Sequence, residues 1–358
     1  MSIKSTSALL MQLLPILLLC TGLSCSSVKV SRNSPYQLDK SHAIVLCDST
    51  KAAELIITDN TDNFFGKITI TDMCLQMKKN FGPEFGPNDI SDAYLTFLQK
   101  DVTNFSSEEM SMMVQIMKEA KSLCDAVSPQ IFPANLQLIK TRSRNYGNSV
   151  YYTRENCIVI PENELKTKGY DGLLSVILHE IFHVYSRTNP EKRSRLYELI
   201  GFRHLEYNAN LEIPEPLKSQ ILLNPDGSDF AYYISLKLED STELKAIPLI
   251  YSKTATFDPK KPAFFNYMTF ELFEIQPIAR GYAVQTKKDG SSTRALVGSG
   301  DFNRQIRDNT RYIIHPDEIM ADNFMFLMRR EKDAAKYEKF SKEGKALIAE
   351  LERVLKSS

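Results

Sequence analysis

The stretch of sequence that decides the fold is LLSVILHEIFHVY, residues 173–185. Its apolar residues recur at intervals of three and four, which predicts an amphipathic helix. At about 100° per residue, one narrow stripe should face the core. That stripe consists of Leu174, Leu178, Ile181, Phe182 and Tyr185. His179, Glu180 and His183 fall together on the adjoining arc, so the helix presents two imidazoles and a carboxylate beside its buried face.

The spacing of His179 and His183 predicts a zinc site. Two imidazoles one helical turn apart can bring their ring nitrogens to a single ion. A carboxylate beside them, here Glu180, can act as a general base toward a water whose pKa zinc lowers to about 7. The alternative is two histidines and a glutamate on an ordinary surface or at a helix cap. The apolar stripe, a strand predicted just upstream and an export signal argue against that alternative.

A catalytic zinc needs a third protein ligand in addition to water. Ser186 and Asn189 stand where the metzincin pattern requires Gly and His, which excludes that pattern. A helix predicted to start at Pro316 carries Glu318 and Asp322 on one face. Glu318 can bind the metal, while Asp322 can accept the other ring N–H of a ligand histidine.

Other interpretations of these acids stay open. Glu318 lies in the first turn of its predicted helix, where an acid commonly stabilises the helix dipole. Three glutamates nearer to His183 are rival third ligands: Glu198, Glu206 and Glu212.

The pattern His179-Glu180-x-x-His183 with Glu318-x-x-x-Asp322 resembles the gluzincin group of zinc metallopeptidases, the thermolysin-like clan. The resemblance implies a zincin-like catalytic domain whose active-site helix packs on a small mixed sheet, with one Zn²⁺. It also implies that an edge strand, Val150–Thr153 or Cys157–Ile160, pairs with an extended substrate. The chain departs from the family pattern in one respect, since Glu318 follows His183 at a much greater distance than in thermolysin-like members.

Four side chains are candidates for stabilising the oxyanion that forms during hydrolysis: His204, Tyr267, Tyr312 and His315. The residue types alone do not choose among them. A structural or surface role is the simpler interpretation of His204. His315 precedes Pro316 and can cap the predicted helix.

Strands and helices segregate along the chain instead of alternating strictly, which favours an α+β fold. A hairpin is predicted at 149–160, and a capping box predicts a helix from Ser106 to about Val127. Further strands are predicted at 232–238, 244–251 and 267–275. Lys and Glu spread along 331–356 predict a solvated surface helix. The predicted divisions are a tether at 26–40, an N-terminal α/β region at 41–130, the catalytic domain at 131–330 and a C-terminal helix at 331–358.

Residues 1–25 predict an export signal, because Lys4 precedes an apolar run at 8–20 that is too short to span a bilayer. Residues 21–27 resemble a bacterial lipoprotein signal, although Gly22 departs from the pattern, and make Cys25 a candidate for lipidation. We therefore expect the protein in the periplasm, anchored to the outer membrane by lipid, or secreted. The remaining cysteines allow two disulfides or buried free thiols: Cys47, Cys74, Cys124 and Cys157.

Composition narrows the class of partner. The 44 basic and 44 acidic residues balance, and no basic cluster is present, which argues against a nucleic-acid partner. The sequence thus predicts an exported zinc metallopeptidase acting on peptides or proteins, with Glu180 as general base. Two alternatives stay open: a catalytically silent lipoprotein with a binding or structural role, and a zinc amide hydrolase acting on cell-wall substrates.

Overall fold

A computed structural model describes residues 31–206, 209–227 and 229–357 of the chain. The predicted export signal, with Cys25, lies outside these residues. Within them, no helix combines the length and the apolar character needed to cross a bilayer.

The described residues form helices and two separate mixed sheets, which confirms the α+β class. A short 3-10 helix covers Phe264–Asn266. The α-helices are α1 (Ser49–Leu55), α2 (Phe64–Lys67), α3 (Ile70–Met77), α4 (Pro87–Gln99), α5 (Ser107–Val127), α6 (Glu162–Thr167), α7 (Tyr170–Thr188), α8 (Pro190–Glu198), α9 (Leu217–Gln220), α10 (Gly300–Ile306), α11 (Pro316–Met328), α12 (Ala334–Tyr337) and α13 (Lys342–Lys356).

The first sheet has the strand order β1-β2-β4-β6-β5, with β3 paired to β4. Its strands are β1 (Tyr36–Gln37), β2 (Ala43–Leu46), β3 (Val102–Thr103), β4 (Asn135–Thr141), β5 (Tyr152–Arg154) and β6 (Cys157–Pro161). Strands β2, β4 and β6 are parallel, and β5 folds back antiparallel on β6, so the predicted hairpin is confirmed. Strand β6 has a neighbour on each side, and β5 ends the sheet. Of the two segments expected to pair with a substrate, the one that contains β5 is therefore the one with an edge to which no second strand is paired among the described residues.

The second sheet occupies much of the chain between α8 and α10. Its strands are β7 (Phe202–His204), β8 (Asn210–Glu212), β9 (Ile221–Leu222), β10 (Tyr232–Lys237), β11 (Glu243–Tyr251), β12 (Thr269–Ile278) and β13 (Gly281–Val284). Their order is β7-β10-β11-β12-β13-β8, with β9 paired to β11. All pairs are antiparallel except β13 with β8. The strands predicted at 232–238, 244–251 and 267–275 correspond to β10, β11 and β12.

Helix α7 holds the two predicted histidine ligands and packs against β5, β6, α5 and α11. All five residues of its predicted apolar stripe are buried, which fixes the rotation of the helix about its axis. The predicted capping box opens α5, since Ser106 Oγ accepts from Glu109 N and the Glu109 carboxylate accepts from Ser106 N. The arc that carries His179 and His183 is therefore presented toward α11.

The C-terminal segment differs from its prediction. Instead of one solvated helix, it forms α12 and α13, and α13 packs against α11 and α8. Leu347, Ile348 and Leu351 of α13 are fully buried. The prediction weighted the many charges and overlooked apolar residues that recur at helical spacing, so α13 belongs to the core.

The four cysteines of the described chain are all free and buried, so the disulfide alternative is not realised among them. They are Cys47, Cys74, Cys124 and Cys157.

A buried carboxylate attaches the segment that leads into the site. Asp72 of α3 is fully buried and accepts hydrogen bonds from Leu223 N (2.8 Å) and Gln76 Nε2 (2.9 Å). Thr69, the N-cap of α3, donates to the carbonyl of Ile221 at 2.8 Å. Burial raises the pKa of Asp72 to about 7. Residues 221–223 are thus fastened to α3, and they set the position of the loop that follows them.

We predict that Asp72→Asn removes a pH-dependent loss of stability. Because burial raises the pKa of Asp72 from 3.8 to about 7, the folded protein keeps a proton that the unfolded chain releases between those values. Wild-type stability should therefore fall as pH rises through this window, by up to about 1.4 kcal/mol per pH unit. The amide keeps an acceptor for Leu223 N–H but does not titrate. In urea unfolding, the free energy of unfolding of the mutant relative to wild type should be higher at pH 7.5 than at pH 5. An equal difference between the two proteins at both pH values would contradict the raised pKa of Asp72.

Candidate metal centre

Helices α7 and α11 bring the three predicted metal ligands together. His179 Nε2 lies 3.1 Å from Glu318 Oε2, and His183 Nε2 lies 3.5 Å from the same oxygen. The two imidazole centroids are 4.7 Å apart. Ligand atoms that each sit about 2 Å from a tetrahedral zinc ion are about 3.3 Å from one another. The two distances from Glu318 Oε2 to the imidazoles therefore match the separation of ligands on a single zinc ion.

Two buried polar atoms at this point have no hydrogen-bond partner among the described residues. They are His183 Nε2 and Glu180 Oε2, and both side chains are almost completely buried. The 3.5 Å contact between His183 and Glu318 does not have hydrogen-bond geometry. Burying polar atoms without partners is costly, and a cation between the ligands would satisfy His183 Nε2. The donor set of two imidazoles and a carboxylate suits zinc.

Each imidazole is oriented by a further carboxylate. His179 Nδ1 donates to Asp322 Oδ1 at 3.0 Å, and His183 Nδ1 donates to Asp317 Oδ2 at 2.6 Å. Asp317 is itself held by the hydroxyls of Tyr197 and Ser186. With Nδ1 of each ring donating its proton to a carboxylate, Nε2 is the nitrogen left to bind a metal. His183 Nε2 has no hydrogen-bond partner, whereas His179 Nε2 bonds to Glu318 Oε2 at 3.1 Å, and a bound cation would take the place of that bond's proton.

The partner role of Asp317 was not predicted from the sequence. The available signal was its place beside Glu318 in the first turn of the same helix. Asp317 and Asp322 lie on opposite sides of Glu318 in the sequence, five residues apart. Their contacts to different imidazoles show how one helix can orient both rings of α7.

Glu318 is held in place by a residue that follows a strand of the second sheet. Asn224 Nδ2 donates to Glu318 Oε1 at 2.8 Å, which leaves Oε2 facing the imidazoles. Asn224 belongs to a four-residue loop, Asn224–Gly227. This loop follows β9 and Leu223, the residue whose N–H bonds to Asp72 of α3. The same loop carries Asp226, one of whose carboxylate oxygens lies within 4.8 Å of ligand atoms of both His183 and Glu318. Sequence analysis singled out neither residue, because a short loop has no periodicity that points to a site.

Negative charge dominates the electrostatics of the site. Burial by itself lowers the pKa of His179, but hydrogen bonds with Asp322 and Glu318 outweigh burial and raise that pKa to about 10. For His183, burial is outweighed by the charges of Glu318 and Asp226, and its pKa is also raised. Burial raises the pKa of Glu180 to about 8, and the charge of Asp226 adds to the effect. A field that favours positive charge on both imidazoles also favours a divalent cation between them.

A cleft of about 350 Å³ opens beside the three ligands. Its wall includes His179, Glu180 and Glu318, together with the segment 149–151 that leads into β5. Two aromatic side chains on the wall are unusually exposed, Phe265 at 54% and Tyr312 at 43%. The cleft therefore combines a polar ligand cluster, the edge of a sheet and an apolar rim.

Of the four oxyanion candidates, Tyr312 lines the cleft. Its ring lies nearly parallel to that of His179, with centroids 6.2 Å apart. His315 caps α11, because its Nδ1 accepts from Asp317 N at 3.1 Å. The other two have contacts elsewhere. Tyr267 bonds through its hydroxyl to the backbone of Asp258, and the Nδ1 of His204 bonds to a backbone carbonyl.

The rival acidic residues are not brought to the ligand cluster. All three are exposed side chains, and Glu206 bonds to the hydroxyl of Tyr282 at 2.9 Å. They are Glu198, Glu206 and Glu212. Of the four acids considered as third ligand, Glu318 is the one whose carboxylate lies within 3.5 Å of a nitrogen of each imidazole.

We predict that Glu318→Gln weakens zinc binding more than any change in the surrounding shell. The amide cannot supply the anionic oxygen that faces both imidazoles. Mutating a residue that hydrogen-bonds to a metal ligand usually lowers metal affinity by about 10–100-fold. We therefore expect a loss of that size for Asp322→Asn and a larger loss for Glu318→Gln. Competition with a chromophoric zinc chelator measures the affinities. The exposed Glu331→Gln is the matched control. Equal affinities for Glu318→Gln and this control would remove Glu318 from the ligand set.

Comparisons with known proteins do not indicate a function for this site. Protein-family models, curated proteins and solved structures yield no match to this chain. Any function assigned to the site must therefore follow from its own residues: two imidazoles that both lie close to one carboxylate oxygen, and a buried glutamate beside them with an unpartnered oxygen.

Proposed function

We propose that this protein is a zinc metallopeptidase of the gluzincin type with a zincin-like catalytic fold, and that it hydrolyses peptide bonds. The single observation that carries the proposal is the convergence of His179, His183 and Glu318 on one point. Glu180, whose Oε2 is buried and has no hydrogen-bond partner among the described residues, is one of the residues that line the adjoining cleft. We further propose that the chain is exported, on the strength of the signal predicted at residues 1–25.

His179, His183 and Glu318 would hold the zinc ion, with Asp322 and Asp317 fixing the two rings. When bound, zinc lowers the pKa of water to about 7 and polarises the scissile carbonyl. Glu180 accepts the proton of the attacking water at its free Oε2 and then donates that proton to the nitrogen of the leaving amine. Burial raises the pKa of Glu180, and the positive charge of a bound zinc ion would lower it toward the neutral range in which a carboxylate can accept and release a proton.

The surroundings of the cleft favour an extended peptide as substrate. Strand β5 ends its sheet, and the residues just before it line the cleft, so a peptide can add along this edge by backbone hydrogen bonds. Phe265 and Tyr312 offer exposed aromatic surface to an apolar side chain of that peptide. Tyr312 is also the candidate whose hydroxyl stabilises the oxyanion, because it lies on the cleft beside His179.

We predict that Glu180→Gln keeps zinc and loses hydrolysis. The amide cannot accept a proton, and loss of a general base typically slows a reaction by about 10²–10⁴-fold. Glu180 is not among the three proposed ligands, so zinc stoichiometry should stay at the wild-type value. Hydrolysis of an unstructured protein and zinc content are measured on the same samples, with the exposed Glu191→Gln as matched control.

The same assay separates the proposal from its alternatives. Wild-type turnover that a chelator abolishes and zinc restores is the expected result. Zinc binding without turnover of any peptide would support the silent lipoprotein. Turnover of cell-wall amides alone would support the amide hydrolase. Normal turnover by Glu180→Gln would contradict the proposed mechanism.

A further inference from the structure

We infer that Asp226 is a fourth protein ligand of the same zinc ion, supplied by the loop Asn224–Gly227. The inference rests on the proposed metal site, to which it adds a residue that the mechanism above leaves without a role. It would add a second carboxylate to the two imidazoles and the one carboxylate already proposed to hold the ion.

The first support is the position of the Asp226 carboxylate. One of its oxygens, a ring nitrogen of His183 and a carboxylate oxygen of Glu318 all lie within 4.8 Å of one another. Ligands of a tetrahedral zinc ion are about 3.3 Å apart, so atoms within 4.8 Å of one another are close enough to reach one ion after small side-chain shifts. His183 Nε2 is buried and unpartnered within it. Asp226 thus belongs, with Glu318, to the group of acids around the imidazole whose Nε2 has no partner.

The second support is the way the loop is fixed. Asp226 Oδ1 accepts from both the backbone N–H and the hydroxyl of Thr153 in β5, each at 2.6 Å. These two bonds occupy one carboxylate oxygen and leave Oδ2 for the ion. Asn224, two residues earlier, donates to Glu318. The loop is therefore held at both walls of the site, which preorganises the carboxylate.

The packing of Gly227 completes this arrangement. A Cβ at Gly227 would lie 2.4 Å from Cε1 of His315, so only glycine lets the backbone approach the imidazole that caps α11. The loop is consequently closed against the same helix that carries Glu318. Asp226 is delivered to the ligand cluster by contacts with β5 on one side and α11 on the other.

The contact with Thr153 also sets a limit on the substrate. Thr153 N–H points away from β6, on the free edge of β5, where a paired peptide would place a carbonyl oxygen. Asp226 takes this donor, so a peptide can pair with residues before Thr153 but must displace the loop to continue along the strand. The Asp226 carboxylate would thus both bind the ion and limit how far a peptide can pair along β5.

Asp226→Asn tests the inference in the full-length protein. The asparagine side chain has nearly the same shape, and its oxygen still accepts from Thr153, but its amide nitrogen is not a metal ligand. We expect zinc affinity, measured by chelator competition, to fall on the order of tenfold or more. With Co²⁺ in place of zinc, we expect the visible absorption bands to shift, since they report the number and type of ligands. Asp229→Asn, three residues away and paired with Arg193, is the matched control and should leave both readouts unchanged.

The outcomes separate this inference from the proposed function. Asp226→Ala, which also removes the hydrogen bonds to Thr153, should lower zinc affinity at least as much as Asp226→Asn. It shows whether the effect of Asp226→Asn comes from losing the carboxylate or from introducing an amide. A lower affinity with an unchanged cobalt spectrum would make Asp226 a neighbouring charge and overturn the inference. Unchanged affinity would also overturn it, while peptidase activity in the wild type would still stand. A shifted spectrum in a protein without peptidase activity would support the ligand and remove only the proposed reaction.

Discussion

The contact between α7 and α11 is the interaction on which the site depends. It places Glu318 between two imidazoles and lets Asp317 and Asp322 hold the far nitrogen of each ring. Buried charges of both signs persist in proteins only when each is paired or bound to a metal. The buried apolar stripe of α7 and the packing of α13 behind α11 supply the apolar contact that keeps this polar cluster together.

The second sheet explains how a loop far from both helices takes part. Strand β9 pairs with β11, and the residue after it bonds to buried Asp72 of α3, so the chain enters the site from a fixed point. Asn224 then orients Glu318, and Asp226 reaches Thr153 at the edge of β5. The region between α8 and α10 therefore acts as the support for the outer wall of the site, opposite the helix that carries the histidines.

The sequence predicted the positions of those site residues whose spacing follows the period of a helix or strand. The stripe of α7, the hairpin of β5 and β6, and the i, i+4 pair on α11 each follow from spacing within one element, and spacing was enough to place His179, Glu180, His183 and Glu318 on helices. It did not reach Asp226 or Asn224, since their position depends on contacts between β9, α3 and β5 that no local pattern encodes. The burial of α13 was missed for a different reason, because its charges masked an apolar stripe.

The central claim is that His179, His183 and Glu318 share one zinc ion. X-ray absorption at the zinc edge, on protein loaded with one equivalent of zinc, tests this claim most directly. We expect nitrogen and oxygen ligands at about 2.0–2.1 Å that include two imidazoles, and the loss of one imidazole in His183→Ala. A sulfur shell near 2.3 Å, or an unchanged imidazole count in that variant, would contradict it.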